Sequence, residues 1–227
     1  MMSKQLLEAG YTVIPDLIEP EELAEVTRHV DALNTTGFGK RRLMDVPWCA
    51  ALAERLARGD RVRQELPAKA TPVQCTLFAK SIEKNWLVSL HQDLSIPVAE
   101  RVASQECSGW SEKEGQIFVQ PPIHVLENLL AVRIHLDECD ERSGALRVIP
   151  GSHRLGRLPS GEALQLRAER GEASVGVGRG GAMLMRPLLL HASSKVAANK
   201  MRRVLHFVFG PGDLPLGLRW PSQGKAP

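Results

Sequence analysis

The chain has 227 residues, of which 43% are hydrophobic, and it carries a formal net charge of +3. This length suits one large domain or two small ones, and the apolar fraction allows a sizeable core. Basic residues are scattered among acidic ones, so no nucleic-acid-binding surface is expected. The first residues lack the apolar run of a signal peptide, and no segment reaches the length of a membrane span. We therefore expect a soluble cytoplasmic protein that binds neither nucleic acid nor membrane.

The cysteines are widely spaced, and none belongs to a Cys-x-x-Cys motif; they are Cys49, Cys75, Cys107 and Cys139. A zinc–thiolate site normally draws on more closely spaced ligands. Disulfides are rare in a cytosolic chain of this size. We therefore predict four reduced thiols.

Hydrophobic periodicity predicts a mostly helical first part. A helix is expected over 20–33, because Pro20 suits a first turn and apolar residues then recur at helical spacing. A second helix is expected over Trp48–Arg58 and ends before Gly59–Asp60. A short strand over 10–15 precedes both helices.

Short β-like segments replace the helical pattern in the rest of the chain. Strands are predicted at 73–79, 86–91, 129–137, 144–149, 180–187 and 203–209. The polar stretch 99–115 is predicted to be a loop or short helix, and the proline-containing tail after Gly210 to be irregular. So many strands favour a sandwich or jelly roll over a doubly wound sheet. We predict one domain over 1–227, with a mostly helical flank at 1–70 and a mainly β, jelly-roll core at 71–210.

Two histidines and a carboxylate form the most informative pattern in the sequence. His91-Gln92-Asp93 follows an apolar strand, and His191 ends another apolar run. Alternate residues of a strand share a face, so His91 and Asp93 can bind one ion, and a jelly roll can bring His191 to them from a second strand. Two histidines and one carboxylate are the facial triad that holds non-haem Fe(II) and leaves positions for O₂ and a co-substrate. The pattern predicts an oxygenase.

A second His-x-Asp motif competes with the first. His135-Leu136-Asp137 ends a predicted strand. Its distance from His191 also suits a barrel, so spacing alone leaves both pairs open.

A pair of arginines follows the last histidine. Arg202 lies 11 residues after His191, at the start of an apolar strand. A buried dicarboxylate needs a charge partner, and a guanidinium meets a carboxylate with two parallel hydrogen bonds. Because Arg203 points to the opposite face of the strand, only one of the two arginines can line a pocket.

The ordered combination of motifs resembles the phytanoyl-CoA dioxygenase family of Fe(II)- and 2-oxoglutarate-dependent oxygenases. The resemblance covers nearly the whole chain, and the stretches that carry it are Glu8–Pro15, Leu90–Leu94, Ser143–His153 and His191–Arg203. It implies a double-stranded β-helix core, also called a jelly roll or cupin-like fold, with flanking helices.

The resemblance also implies roles for individual residues. Iron would be bound by His91, Asp93 and His191, and 2-oxoglutarate by Arg202, with O₂ at the remaining position on the metal. Lys80, on the strand before the triad, is a weaker candidate for a second contact to 2-oxoglutarate. Related halogenases carry a small residue in place of the aspartate. Asp93 therefore favours hydroxylation of a small organic metabolite, with release of succinate and CO₂.

The same resemblance places Leu136–Glu138 in a turn that precedes the Gly-Ala-Leu motif at Gly144. His135 and Asp137 are then expected to form a strand end rather than a metal site. His135 departs from the family, which often has a small apolar residue at this position.

Several other polar or aromatic residues have two interpretations. His153 is either an acid or base on the substrate side or a turn histidine that hydrogen-bonds the backbone. Trp86 and Trp110 are candidate walls of a substrate pocket, with core or lid packing as the default. Ordinary surface or sheet-pair positions are expected for Arg133, Arg147 and Lys80.

Two other classes of protein share parts of this pattern. A cupin-like metal protein or isomerase that does not use 2-oxoglutarate would keep the barrel and the histidines without needing Arg202. A non-catalytic sensor or scaffold with a vestigial site would bind no iron.

Overall fold

The computed structural model of the chain describes residues 2–33, 39–197 and 200–222. Six α-helices lie within these ranges: α1 (Lys4–Ala9), α2 (Pro20–Asp31), α3 (Pro47–Arg58), α4 (Asp60–Arg63), α5 (Ile123–Glu127) and α6 (Ser160–Arg170). None of the described helices combines the length and the apolarity that crossing a membrane requires.

Antiparallel strands form the rest of the regular structure. They are β1 (Tyr11–Ile14), β2 (Gly39–Lys40), β3 (Ala70–Lys80), β4 (Val88–His91), β5 (Ile96–Val98), β6 (Ser108–Lys113), β7 (Gln116–Gln120), β8 (Leu130–His135), β9 (Leu146–Val148), β10 (Ala173–Val175), β11 (Ala182–Met185), β12 (His191–Ser193) and β13 (Arg202–Pro211).

These strands form a large sheet, a smaller facing sheet and a peripheral one. The large sheet has the order β1-β11-β8-β13-β3-β2, the smaller sheet β10-β9-β12-β4, and the peripheral sheet β5-β7-β6. Apolar side chains from both main sheets meet between them, among them Ala131, Val148 and Met183. The fold is mainly β with flanking helices and a jelly-roll core, which confirms the predicted fold class.

Helices α2 and α3 cover the outer face of the large sheet. Each begins with proline at its first turn, where the missing N–H costs no hydrogen bond. In α2 the buried residues recur at helical spacing, and they are Leu23, Val26 and Val30. They pack against one face of β8 and β13 in the largest core cluster. Both helices match the sequence prediction within two residues.

Strand β13 has two different faces because its side chains alternate. Leu205, Phe207 and Phe209 are fully buried against the helices. Its other face points between the two main sheets and carries Arg202 and His206 among apolar residues. One strand therefore anchors the helical layer and supplies polar groups to the interior.

The predicted loop or short helix at 99–115 is wrong for residues Ser108–Lys113. This segment is β6, which pairs with β7 through a hairpin turn. Glu114 and Gly115 both have positive φ, +52° and +71°, and so give the twist that suits a two-residue hairpin. Because β6 is an exposed edge strand, its residues are mostly polar and show no apolar alternation.

Other elements had no counterpart in the sequence prediction. Helices α1, α5 and α6 and strands β5 and β7 were not expected as separate elements. All six strands predicted after residue 70 are present, with ends displaced by a few residues. The segment Tyr11–Ile14 forms an edge strand of the large sheet beside β11.

Arg203 joins the edge of β13 to the helical layer. Its guanidinium donates to both oxygens of Asp137, at 3.0 Å from Nε and 2.6 Å from Nη2. The Arg203 backbone N–H also donates to Asp137, at 2.8 Å. A further ion pair connects Arg203 to Asp31 in α2. Asp137 therefore fixes the start of β13 and does not face the interior.

We expect the change Asp137→Ala to lower the free energy of unfolding by about 2 kcal/mol, because it leaves a mostly buried guanidinium without its two-point partner. Asp31→Ala is the matched control and should cost less than about 1 kcal/mol, since the Asp31 side chain is 60% exposed. Urea unfolding curves of the two variants measure both values. Equal losses of unfolding free energy in the two variants would contradict the conclusion that Asp137 is the two-point partner of Arg203.

Candidate metal centre and its cavity

The pairing of β4 with β12 places two histidines opposite each other. His191 is the direct cross-strand partner of His91. Facing residues in an antiparallel pair lie close enough for their side chains to touch. The two imidazole rings have centroids 4.2 Å apart. A local sheet contact therefore joins residues 100 positions apart in the sequence.

Both histidines are held in the same orientation by the backbone. The Nδ1 atom of His91 lies 2.9 Å from the carbonyl oxygen of Ser89, and Nδ1 of His191 lies 2.9 Å from that of Leu189. Because a carbonyl only accepts hydrogen bonds, each Nδ1 carries the proton. Each Nε2 is then free to bind a metal ion, which is the usual arrangement for histidine ligands.

Asp93 completes the group. Its carboxylate oxygens lie 3.6 Å from His91 Nε2 and 3.9 Å from His191 Nε2. The backbone N–H of Asp93 donates to the Pro187 carbonyl at 2.9 Å. One ligand atom from each of the three residues lies within 4.8 Å of the others. Among the described residues, this is the one convergence of three or more such side chains that could hold a metal ion.

Gln92 fixes the turn between the first two members of the group. Its side-chain nitrogen donates to the carbonyls of Gly156 and Leu188, at 2.7 Å each. Its side-chain oxygen accepts from the backbone N–H of Leu158 at 2.9 Å. Gln92 points away from the ligand group and ties it to the segment that precedes His191. No pattern in the sequence singled out this residue.

The protonation states of His191 and Asp93 suit metal binding. Burial lowers the pKa of His191 to about 4, so its imidazole is neutral at neutral pH. Burial opposes the ionisation of Asp93, but the neighbouring His191 and His91 outweigh it and hold the pKa of the carboxyl well below its usual range. Burial would lower the pKa of His91, and the nearby Asp93 outweighs this and raises it. A neutral imidazole and a carboxylate are the forms that ligate metals.

The group lies on the wall of an interior cavity of about 360 Å³. His91 and Asp93 keep 40% and 38% of their side-chain surface exposed, so the ligand atoms are accessible from the cavity. Two nitrogens, one carboxylate and an open side are the donor set of non-haem Fe(II) sites. The residues present therefore fit such an ion.

Two cations lie side by side at one end of the cavity. Arg202 and Lys80 are cross-strand partners on β13 and β3, and both are buried. The Lys80 ammonium donates to Ser193 Oγ and to the Ser194 carbonyl, at 2.9 Å each. Burial, with Arg202 nearby, lowers the pKa of Lys80 to about 7. The expected solvent-exposed position of Lys80 is wrong, because its side chain lies between the two sheets.

Arg202 faces the cavity and Arg203 does not. The Arg202 guanidinium donates to the Gly144 carbonyl, while its buried Nε has no hydrogen-bond partner. Arg203 points outward to Asp137. His135 is buried on the inner side of β8, whereas Asp137 turns to the outer side, so this second His-x-Asp does not converge on one ion.

A third cation, Arg133, lies near the metal group. It is 5% exposed and lines the cavity, and its Nη1 lies 2.7 Å from His206 Nδ1. Of the two expected positions for Arg133, the surface one is wrong, and the residue is instead a buried cross-strand partner of His206. The available signal was its alternation with Ala131 and His135 in an otherwise apolar strand.

The remaining candidate residues fall inside and outside the cavity. Trp86 lines it, and its ring lies 4.8 Å from the Lys80 ammonium. Trp110 packs in the apolar cluster beside the peripheral sheet. His153 lies in a separate pocket that Arg186 also lines. Arg147 pairs with a glutamate on the smaller sheet.

The fold and the candidate metal centre define a jelly-roll protein of the metal-binding, cupin-like type. The sequence profile of phytanoyl-CoA dioxygenase (PhyH) matches residues 6–204. The chain belongs to the phytanoyl-CoA dioxygenase family. No curated protein matches the chain in sequence.

Solved structures with the same fold include several enzymes. EctD from S. alaskensis with 2-oxoglutarate and 5-hydroxyectoine is 16% identical with a TM-score of 0.67, covering 98% of this chain and 83% of that one. The non-haem alpha-ketoglutarate-dependent carbocyclase SnoK from nogalamycin biosynthesis is 13% identical with a TM-score of 0.66, covering 98% and 88%. HygX from Streptomyces hygroscopicus with iron bound is 18% identical with a TM-score of 0.60, covering 98% and 96%.

The two His-x-Asp motifs can be compared by mutation. We expect His91→Ala to weaken Fe(II) binding by more than about tenfold, because it removes a ligand atom. His135→Ala removes a buried histidine of the large sheet, which faces the sheet that carries His91, and should leave Fe(II) affinity within about twofold. Anaerobic calorimetric titration measures both affinities. A loss confined to His135→Ala would overturn the assignment.

The buried ammonium of Lys80 should make stability depend on pH. Its pKa is about 7 in the folded chain and about 10.4 when unfolded, so the unfolded state binds more protons between these values. From pH 7 to 8.5 the wild type should therefore gain about 1.6 kcal/mol of stability relative to Lys80→Met. Urea unfolding of both proteins at each pH measures this difference. A difference that stays constant would show that Lys80 titrates normally.

Proposed function

We propose that the protein is an Fe(II)- and 2-oxoglutarate-dependent dioxygenase that hydroxylates a small organic metabolite. The observation that carries the proposal is the arrangement of one cavity. His91, Asp93 and His191 converge on its wall, and Arg202, whose cross-strand partner is the buried Lys80, lines it as well. A metal site and a separate carboxylate site in the same enclosed space are what a chelating dicarboxylate needs.

Similar structures support the choice of cofactors. EctD has been solved with 2-oxoglutarate and with bound Fe, and HygX with iron. SnoK is described as alpha-ketoglutarate dependent. Because these proteins are under 25% identical to this chain, they support the cofactors only together with the residues found here.

Bound Fe(II), with 2-oxoglutarate and O₂, would supply the oxidising chemistry, in which 2-oxoglutarate becomes succinate and CO₂ and the substrate gains oxygen. The chain's own residues would bind and orient the metal ion and 2-oxoglutarate. His91, Asp93 and His191 would hold the ion on one side and leave its cavity side open. Arg202, which lines the cavity, would hold the far carboxylate of 2-oxoglutarate, and the buried Lys80 beside it would add a second positive charge.

The apolar part of the lining has a protective role in this proposal. Leu94, Ile96 and Phe118 line the cavity near the peripheral sheet and limit the space for water. The four cysteines are buried and free, and we propose a cytoplasmic location, where such thiols stay reduced. We also propose that residues 1–227 act as one domain.

The test combines a spectrum with a product assay. Fe(II) and 2-oxoglutarate, added without O₂, should give a visible charge-transfer band, and admission of O₂ should give succinate. We expect Arg202→Met to weaken 2-oxoglutarate binding by about tenfold or more, because it removes a charge-assisted two-point contact. Arg203→Met is the matched control, since it removes the same charge one residue away on the opposite face.

The outcomes separate the proposal from its rivals. Absence of both the band and succinate would sink the oxygenase proposal and favour a non-catalytic protein. Succinate formation that Arg202→Met leaves unchanged would contradict the co-substrate role of Arg202. Fe(II) binding with no response to 2-oxoglutarate would favour a cupin-like metal protein of another kind.

A further inference from the structure

Arg133 is a buried cation that the proposed cofactors leave without a counter-ion. Its side chain is 5% exposed, and no described carboxylate forms an ion pair with it. Asp93 is the one acidic residue among the described residues that line the cavity. A buried charge is costly unless an opposite charge meets it, so an unpaired arginine in a ligand cavity indicates an anionic ligand.

The charge balance favours an anion in addition to 2-oxoglutarate. Arg133, Arg202 and Lys80 all line or adjoin the same enclosed space. With iron bound, the positive charges of the metal and these side chains outnumber the negative charges of Asp93 and a dicarboxylate. They do so even when Lys80 is uncharged.

A hydrogen bond to His206 holds the guanidinium of Arg133 in place. Nη1 donates to Nδ1 of His206 across 2.7 Å, which requires a neutral His206. Burial, together with the charge of Arg133, lowers the pKa of His206 to about 3 and keeps it neutral. The buried Nε of Arg133 has no hydrogen-bond partner. A planar N–H edge held in a fixed position suits a carboxylate, which accepts two parallel hydrogen bonds.

Strand register separates Arg133 from the proposed 2-oxoglutarate site. Arg133 is opposite His206 on β13, whereas Arg202 lies four residues earlier on that strand. Four residues of strand correspond to about 13 Å. Arg133, His206 and the metal group all line the cavity. Apolar residues complete this part of the cavity, among them Leu129, Phe118 and Ile96.

Building on the proposed function, we propose that Arg133, positioned by His206, binds the carboxylate of the primary substrate. The substrate would then be a small organic acid with an apolar body that lies against Phe118 and Leu129. Its carboxylate would fix the body beside the metal, so Arg133 would determine substrate specificity and Arg202 would hold the co-substrate.

The test measures how tightly simple carboxylates and 2-oxoglutarate bind to two variants of the full chain. Hexanoate and benzoate, each compared with its uncharged amide, are titrated calorimetrically into the metal-free protein. Arg133→Met should weaken carboxylate binding by about tenfold or more and leave amide binding unchanged. Arg202→Met should change carboxylate binding by less than about threefold. The anaerobic Fe(II)–2-oxoglutarate band should weaken in Arg202→Met and stay close to that of the wild type in Arg133→Met.

Further variants distinguish loss of carboxylate binding from loss of folding. Arg133→Gln keeps a polar side chain and should behave as Arg133→Met, whereas Arg133→Lys should retain part of the binding, because it keeps the charge without the planar edge. Melting temperatures of all variants identify any that fail to fold.

The inference and the proposed function fail in different ways. If carboxylates bind no more tightly than their amides, or if the Arg133 variants bind them as the wild type does, the inference is wrong. It is also wrong if Arg133→Met weakens 2-oxoglutarate as strongly as Arg202→Met does. If carboxylate binding depends on Arg133 but no 2-oxoglutarate band forms, the anion site stands and the proposed function falls.

Discussion

The antiparallel contact between β4 and β12 is the constraint on which the candidate centre depends. It places His91 opposite His191, and the backbone carbonyls two residues earlier orient both rings. A shift of register by one residue would turn one imidazole to the other face of the sheet. The side chain of Gln92 resists such a shift, because it bridges the turn after β4 to the segment before β12. The geometry of the centre is thus a property of the sheet rather than of a flexible loop.

The cavity concentrates positive charge that the fold alone does not neutralise. Burial lowers the pKa of Arg133 to about 10, with Arg202 adding to the effect, and burial also lowers the pKa of Arg202. Buried like charges repel one another, so placing these cations together has an energetic cost. An anion that enters removes part of this cost and stabilises the folded state. Buried cations that disfavour folding on their own are therefore explained by the anionic ligands that bind to them.

The sequence predicted the features that depend on local patterns. Period-two alternation distinguishes the faces of Arg202 and Arg203, and the helical period located α2 and α3. The residues chosen as iron ligands lie together, although their role stays a prediction. The polar edge strand β6 was missed because nothing buries it. Burial of Lys80 could not be foreseen, since it results from strands that are distant in sequence closing over it, whereas the alternation of Arg133 with its neighbours was a signal that the prediction did not use.

The alternation of β13 also explains how one cavity can address two anions. Its outward residues, Leu205, Phe207 and Phe209, pack under the helices and hold the strand in place. Its inward residues Arg202 and His206 are four positions apart, so each serves a different level of the cavity. Two arginines at one level would compete for a single carboxylate. At different levels, and with His206 hydrogen-bonded to Arg133, the two guanidiniums serve different carboxylates in our proposal. Substrate specificity would then follow from strand register as much as from the identity of the side chains.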